Sequence, residues 1–416
     1  MFTKINIKKI KFLGGNMKKS KNIFLCIICV FTVINEKPIN ATSFDSNKNY
    51  FIQNKENLTK KFNQNIKNEY IKTEDVIFYE NEMKLLDGFN DKKINNIKTI
   101  KGFDDSLYVV VECLPTGYLI YEKQFNILLE CGPYSKSPYL DYDTNLYYGG
   151  PTNYFKSEKN LNANYSKYEI ENLINHKSTN ISRLEVDKLK SKSVELTNKI
   201  AMNKKQISNY STYSSTRSGD YVSSYIDNYE YITKIKSFGK NKNGTCGYIA
   251  AGLILYYAYK QYNTKFINQK YITSDGFSDN LHKYLVDLGK SLFLSNGTVA
   301  ADIEKLMKEY TKERVPEATH YSMTLSTEAN IDLCIKDNKP MILFGHFEDV
   351  STQDDPWDHT NHAIVAFGKA YRSVSLLVRE KYLYVHYGWP GYSHIMIQDS
   401  IFKNPIGSFY NMNPRG

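Results

Sequence analysis

Three short blocks of this sequence contain residues that could perform nucleophilic catalysis. The first, Gly244-Thr245-Cys246-Gly247, opens an apolar stretch whose periodicity predicts a helix from Cys246 to about Tyr262. A thiol at a helix N-terminus lies at the positive end of the helix dipole, which favours the thiolate. The backbone amides at the helix start could also stabilise an oxyanion. The alternative is a structural cysteine at the start of a core helix, and this block alone does not decide between the two.

The second block begins at His362, which starts the apolar run His-Ala-Ile-Val-Ala-Phe-Gly. An imidazole at the edge of an apolar strand suits a general base that must face both a thiol and solvent. An ordinary strand-edge histidine is the alternative. His359 lies three residues earlier, in a polar loop where no catalytic role is predicted. The acidic stretch 354–358 could hold a cation, but it is a single local cluster, so no metal site is predicted.

The third block is Tyr384-Val385-His386-Tyr387-Gly388-Trp389-Pro390-Gly391, a strand that ends in an aromatic, glycine-containing turn. We expect His386 to orient the imidazole of His362 by accepting its other N–H, as the third group of a catalytic triad does. We expect Trp389 to shield that hydrogen bond from water. The alternative is a strand end with packing aromatic side chains.

An oxyanion site often includes a side-chain amide close to the nucleophile, and Asn241 and Asn243 are the candidates here. Asparagine is so common in this chain that neither one stands out. The three blocks gain weight in combination, because they follow the order nucleophile, base, orienting group. Each also lies on the type of element that its role requires. This chemistry needs no metal and no organic cofactor.

The elements that must position these residues are predicted within 241–416. Helices are expected at 246–262, 278–290, 298–310 and 327–336, followed by strands at 341–347, 362–367, 383–387 and 394–398. Helices first and antiparallel strands later indicate an α+β fold. Residues 73–155 are predicted to form a smaller α+β domain, with a mixed segment at 73–86 and strands at 108–113, 117–121 and 126–131.

Polar segments flank the smaller domain. Residues 42–72 lack periodicity and are predicted as a loose leader, and residues 156–240 as a polar linker with one weak helix within 183–201. Residues 208–220 consist almost entirely of Ser, Tyr, Thr, Asn and Gly, which cannot bury enough apolar area to order themselves. We therefore expect proteolysis to concentrate there.

The first 41 residues are predicted to be a targeting region. Lys18, Lys19 and Lys21 precede an apolar run at 23–34, which is too short to span a bilayer core of about 30 Å and is typical of a secretory signal. Cleavage is expected near Ala41. Residues 13–16 read as a translated ribosome-binding site, so translation is predicted to start at Met17. The protein is accordingly expected to be secreted, without stable membrane insertion after signal removal.

Composition restricts the remaining function classes. The net charge is +10, but the lysines are dispersed and no dense basic block alternates with aromatic residues, which argues against nucleic-acid binding. There are six cysteines, and two of them lie in the apolar N-terminal run. The other four, Cys113, Cys131, Cys246 and Cys334, match no disulfide framework or zinc pattern, so at least one is expected to be a free thiol.

At these residues the chain resembles papain-like cysteine peptidases of bacteria, especially the streptopain group. The "GTCGYIAAGLILYY" block resembles their nucleophile helix, "HAIVAFG" their base strand and "VHYGWPGYS" their "VNWGWGG"-type turn. His386 and Tyr387 depart from that pattern, because they stand where the group has Asn and Trp. The upstream "LYVVVECLPTGYLIYE" region is similar to the propeptide-like regions that precede such catalytic domains.

The resemblance implies a papain-like fold, with a helical lobe carrying Cys246 against an antiparallel sheet carrying His362. It also implies a zymogen that acts on a peptide or protein substrate. Its prodomain, residues 73–155, would serve as inhibitor and folding aid, and the linker would be cut on activation.

Three alternatives remain open. A peptidoglycan hydrolase with a Cys-His-His set suits the basic charge, although the separation of Cys246 and His362 is long for that compact class. A transglutaminase or acyltransferase could use the same triad. A secreted, non-catalytic binding protein on a decayed peptidase fold would account for the departures at His386 and Tyr387.

Overall fold

The computed structural model describes residues 72–174, 176–210, 219–239, 245–294, 299–323, 328–347, 362–373 and 379–413. All of them belong to the compact unit that begins at Lys55. The predicted signal region, the leader up to residue 71, and residues 211–218, 240–244 and 348–361 lie outside the described residues.

The described residues form a mixed α and β fold with seven α-helices. These are α1 (Thr73–Leu85), α2 (Arg183–Tyr210), α3 (Glu230–Thr233), α4 (Cys246–Gln261), α5 (Asp279–Ser291), α6 (Ala300–Thr311) and α7 (Glu328–Lys336). Short 3-10 turns lie at Thr264–Phe266, Gln269–Tyr271 and Asp399–Ile401. In α5 and α6 the apolar residues recur on one face, and residues such as Leu281, Leu285, Ile303 and Leu306 are fully buried there.

Strands make up the rest of the regular structure. They are β1 (Lys93–Lys101), β2 (Leu107–Leu114), β3 (Tyr118–Glu122), β4 (Ile127–Gly132), β5 (Leu146–Tyr148), β6 (Tyr154–Ser157), β7 (Lys167–Asn172), β8 (Lys177–Ser182), β9 (Tyr221–Tyr225), β10 (Ile272–Thr273), β11 (Gly276–Phe277), β12 (Thr319–Met323), β13 (Met341–Phe347), β14 (His362–Ser373), β15 (Arg379–His386), β16 (Ile395–Gln398) and β17 (Phe402–Asn413).

One sheet contains fifteen of these strands within the described part of the chain. Its order is β12-β17-β13-β14-β15-β16-β4-β3-β2-β1-β5-β6-β7-β8, with β9 paired to β14. The pairs are antiparallel except for the contact between β1 and β5, which is parallel. We call β1–β8 the upstream half of the sheet and β9 with β12–β17 the downstream half. The helix α4 packs against β13 and β14 of the downstream half.

The two halves join where β4 pairs with β16. Met396 lies opposite Cys131, and Ile397 lies opposite Glu130. All four residues are at most 2% exposed, so the join lies in the interior. Buried side chains of both halves accordingly share one large apolar cluster, from Val76 on α1 to Ile401.

An ion pair also crosses from one half to the other. Arg372 on β14 donates to both carboxylate oxygens of Glu82 on α1, at 2.7 and 2.9 Å. The two side chains are 2% and 7% exposed. Because each charge has lost its hydration, each depends on the other for compensation.

The structure agrees closely with the predicted helices and strands of 245–398. It differs over 156–240, where β7, β8, β9 and α2 occupy much of the segment that composition predicts as a linker. Strands β7 and β8 are mostly polar, but Tyr168, Ile170 and Ile181 alternate toward a second small cluster of buried residues. The predicted weak helix within 183–201 is confirmed as part of α2. Among the described residues, no helix has the length and apolar content needed to cross a bilayer.

Candidate active site

Cys246 is the first residue of α4, and its position sets it apart from the other described cysteines. All four are free thiols, but Cys113, Cys131 and Cys334 are buried whereas Cys246 is half-buried. Burial raises the pKa of Cys113 and of Cys334 to about 12 and also raises the pKa of Cys131.

 For Cys113 the rise comes from desolvation, which the charge of Lys92 partly offsets. Cys246 is therefore the one cysteine of the described residues that a reagent or substrate can readily approach.

The helix that begins at Cys246 is apolar on every side. Residues Gly247 to Ala258 are all buried, so the helix is anchored in the core and fixes the position of its own first turn. Thr245, which precedes the cysteine, is also buried. Cys246 is therefore at the end of α4 where the backbone amides of the first turn and the positive end of the helix dipole lie.

His362 is the first residue of β14, and its side chain is 3% exposed. Its Nε2 lies 2.6 Å from the carbonyl oxygen of Tyr387. A carbonyl can only accept, so Nε2 carries the hydrogen, and in the neutral ring Nδ1 is the basic nitrogen. Burial lowers the pKa of His362 to about 4, which the hydrogen bond to Tyr387 partly opposes. The ring is therefore neutral at pH 7, the form that a general base requires.

Trp389 covers one face of this imidazole. The two rings are stacked, with centroids 4.3 Å apart and planes 25° from parallel. The indole is half-buried. The sequence analysis expects Trp389 to shield a hydrogen bond between His362 and His386, but the structure places its ring against an imidazole whose hydrogen bond goes to Tyr387.

The peptide group between Tyr387 and Gly388 links the two histidines of the site. Its carbonyl accepts from His362, and its N–H donates to Nδ1 of His386 at 2.9 Å. The sequence analysis expects His386 to accept directly from His362, but the structure gives that hydrogen bond to the backbone. The turn explains the difference, because Gly388 has a φ of +81°, a conformation that favours glycine.

His386 is completely buried beside the edge of Phe238. Burial, with a smaller contribution from the nearby His362, lowers its pKa to about 3. Its Nε2 has no hydrogen-bond partner among the described residues. His386 therefore accepts from the N–H of the same peptide group whose carbonyl accepts from His362.

The start of α4 borders the same turn. A Cβ placed on Gly388 would lie 3.7 Å from Cγ2 of Ile249. Ile249 follows Cys246 by three residues, which places the two side chains on one face of the helix. The structure therefore brings Cys246, His362, His386 and Trp389 into one region of the fold.

The predicted oxyanion candidates Asn241 and Asn243 lie outside the described residues. So do His359 and the acidic stretch 354–358, for which the sequence predicts no role in the site. Within the described ranges, no group of three or more His, Cys, Asp or Glu side chains is arranged to hold a metal ion.

Sequence reasoning identified neither the carbonyl of Tyr387, which accepts from His362, nor the carboxylate of Glu130 on β4, which accepts from the hydroxyl of Tyr387. Tyr387 acts through its backbone, which leaves no signal in the sequence. Glu130 is fully buried, and four tyrosine hydroxyls, among them that of Tyr387, donate to it. A signal for Glu130 was present, because it is the only charged residue of the otherwise apolar strand Ile127–Gly132.

Comparisons with known proteins do not place the chain in a family. No protein-family model matches the chain, and no curated protein matches it. One solved structure that it resembles is a chain from Bacillus anthracis described as a C39-like peptidase, with 12% identity, a TM-score of 0.29, and coverage of 46% of this chain and 98% of that one. A TM-score of this size does not define a shared fold, so the comparisons do not assign the chain to a family.

Proposed function

We propose that this chain is a cysteine peptidase in which Cys246 is the nucleophile and His362 is the general base. One observation carries the proposal. Burial keeps the imidazole of His362 neutral, and the 2.6 Å hydrogen bond to Tyr387 and the stacked ring of Trp389 fix its orientation, beside the turn that borders the N-terminus of α4. That hydrogen bond leaves Nδ1 as the ring nitrogen able to take a proton from a thiol.

The reaction would proceed in two stages. Nδ1 of His362 takes the proton from Sγ of Cys246 as the sulfur attacks the peptide carbonyl, and the amides of the first turn of α4 stabilise the oxyanion. The protonated ring then gives that proton to the leaving amine, which leaves an acyl-enzyme. In the second stage Nδ1 removes a proton from water, the resulting hydroxide attacks the thioester, and the thiol is regenerated with release of the acid.

The resting pair is proposed to be a neutral thiol and a neutral imidazole. The sequence analysis expects a thiol shifted toward the thiolate by the helix dipole, but the burial of His362 disfavours the imidazolium that would accompany it. His386 enters as a positioning residue, acting through the peptide group of Tyr387 and Gly388.

The papain-like lobes, the zymogen and secretion are part of the same proposal. They rest on the sequence resemblance, the apolar N-terminal run and the composition of residues 208–220. The helix α4 packed on an antiparallel sheet is compatible with a papain-like arrangement.

Selective alkylation tests the nucleophile and the base. At pH 7 a thiol with a pKa of about 12, as in Cys334, is ionised to about one part in 10⁵. We expect iodoacetamide to modify Cys246 at least 100-fold faster than Cys334, measured by mass spectrometry of peptides. The rate at Cys246 should fall about tenfold or more in His362→Ala, and it should stay unchanged in the control His320→Ala, whose ring bonds Thr311 elsewhere. Equal rates at Cys246 and Cys334 would contradict the peptidase proposal.

The pH dependence of alkylation tests the neutral pair. We expect the rate at Cys246 to rise steadily from pH 5 to pH 8, because the thiolate is not formed in advance. A plateau across that range would instead indicate a preformed thiolate and imidazolium.

Processing tests the zymogen. Expressed from residue 42, the protein should shorten itself by cleavage within 200–240, whereas Cys246→Ala should stay intact. Because β4 and β16 belong to one sheet, we expect the two fragments to co-elute after cleavage. Incorporation of an added amine instead of water would indicate a transferase, and release of muropeptides from purified walls would indicate a peptidoglycan hydrolase.

A further inference from the structure

Glu130 is a buried carboxylate surrounded by tyrosines. The hydroxyls of Tyr154 and Tyr118 donate to Oε1 at 2.7 and 3.0 Å. Those of Tyr148 and Tyr387 donate to Oε2 at 3.4 and 3.5 Å. Desolvation raises the pKa of Glu130 to about 7, although the four hydroxyls oppose the shift. Among the described residues, the hydrogen-bond donors to this carboxylate are all neutral hydroxyls. Burying a carboxylate without a cation is costly to the fold, so stability alone does not explain Glu130.

Tyr387 connects this carboxylate to the candidate active site. Its ring is fully buried and its hydroxyl reaches Glu130, while its backbone N–H donates to the carbonyl of Tyr392 at 3.0 Å. Its ring also stacks on that of Tyr392, with centroids 6.4 Å apart. With both ends of the residue held, the direction of its carbonyl is fixed. That carbonyl is the one that accepts from Nε2 of His362.

We propose that Glu130 is a positioning residue for His362 and that it acts through Tyr387. The proposal rests on the function proposed above, in which His362 is the general base. Glu130 lies on β4 of the upstream half, whereas Tyr387 and His362 belong to the downstream half. The upstream half therefore contributes to the geometry of the site, a role distinct from that of an inhibitor that departs on activation.

Two phenylalanine substitutions separate positioning from general support of the fold. Tyr387→Phe and Tyr118→Phe each remove one hydroxyl from Glu130, but only Tyr387 carries the carbonyl that holds His362. We expect Tyr387→Phe and Glu130→Gln each to slow alkylation of Cys246 about tenfold, because a small displacement of a catalytic group has an effect of at least this size. Tyr118→Phe should stay within twofold of the native rate.

Nuclear magnetic resonance of ¹⁵N-histidine-labelled protein gives a readout that does not depend on the cysteine. The signal of His362 is assigned from its absence in His362→Ala, and its Nε2–H proton should be slow to exchange in the native protein. It should shift or exchange faster in Tyr387→Phe and Glu130→Gln, and it should be unchanged in Tyr118→Phe.

The outcomes distinguish the two proposals. Equal effects of Tyr387→Phe and Tyr118→Phe on the His362 signal, or no effect of Glu130→Gln, would overturn the positioning role. If Cys246 of the native protein proves unreactive while the His362 signal still responds to Tyr387→Phe and Glu130→Gln alone, the link from Glu130 to His362 stands. In that case the peptidase function is what fails.

Discussion

Arg372 provides the sharpest test of how the two halves of the sheet are held together. Its guanidinium donates to both oxygens of Glu82, and its Nε donates to the carbonyl of Gly219 at 3.1 Å. Glu380 lies directly across the β14–β15 ladder from Arg372, and its charge acts on the guanidinium as well. Glu82 and Glu380 are 5% and 4% exposed. One buried cation thus compensates two buried carboxylates.

This arrangement predicts that substituting Arg372 lowers the free energy of unfolding more than substituting Glu82 does. Removing one partner of a buried pair costs about 3–5 kcal/mol, because the remaining charge stays desolvated. In Glu82→Gln the arginine still has Glu380 and Gly219, so we expect a loss near 3 kcal/mol. In Arg372→Met two carboxylates lose their cation, so the loss should reach about 5 kcal/mol or more. A typical domain is stable by only about 5–15 kcal/mol, so either change is large.

Urea unfolding followed by circular dichroism measures both losses. Asp287→Asn is the matched control, because its partner Lys290 and Asp287 itself are 63% and 73% exposed. An exposed pair of this kind contributes less than about 1 kcal/mol. If Arg372→Met costs no more than Glu82→Gln, or if both fall within the range of the control, the account of a shared buried cation is wrong.

Two further predictions concern the turn and the histidines. Gly388→Ala and Gly391→Ala place a side chain at φ values of +81° and +84°, so each should lower stability by about 1–2 kcal/mol. Only Gly388→Ala should also slow the alkylation of Cys246, since Gly391 has no neighbour within 4 Å of an added Cβ; equal slowing in both would contradict this. Burial lowers the pKa to about 4 for His362 and His394 and to about 3 for His386. Because the unfolded chain takes up these protons below pH 6.5, stability should fall from pH 6.5 toward pH 4 by about 1.4 kcal/mol per pH unit for each histidine. Glu130 acts in the opposite direction, because its pKa of about 7 lets the folded protein take up this proton before the unfolded chain does. Down to pH 4.5 it therefore offsets the loss of stability from one of the three histidines. Melting temperatures that stay level over this range would refute the assignment of neutral, buried rings.

The sequence predicts the downstream half well because its periodicity is strong. The helix from Cys246 and the strand from His362 begin at the residues where the apolar runs begin, and these two boundaries place the candidate nucleophile and base. The sequence also predicts the aromatic turn that follows β15. It does not predict the hydrogen bonds of that turn, because the acceptor for His362 is a backbone carbonyl and any residue at position 387 would supply one.

The upstream half is predicted less completely from the sequence. Strands β7 and β8 carry few apolar residues, so their amphipathic pattern is weak until Tyr168, Ile170 and Ile181 find partners from other elements. The pairing of β4 with β16 depends on contacts between residues far apart in the chain, which local periodicity cannot reveal. The contacts of Glu82 with Arg372 and of Glu130 with Tyr387 also join residues far apart in the chain, so local periodicity does not reveal them either.

The join between β4 and β16 also has a consequence for biosynthesis. Strand β4 leaves the ribosome roughly 270 residues before its neighbour β16, which at about 5–20 residues per second is a delay of roughly 15–50 seconds. During that interval the apolar strand Ile127–Gly132 has an open edge, of the kind that pairs with foreign strands. The nascent chain is therefore exposed to such pairing until β16 has left the ribosome.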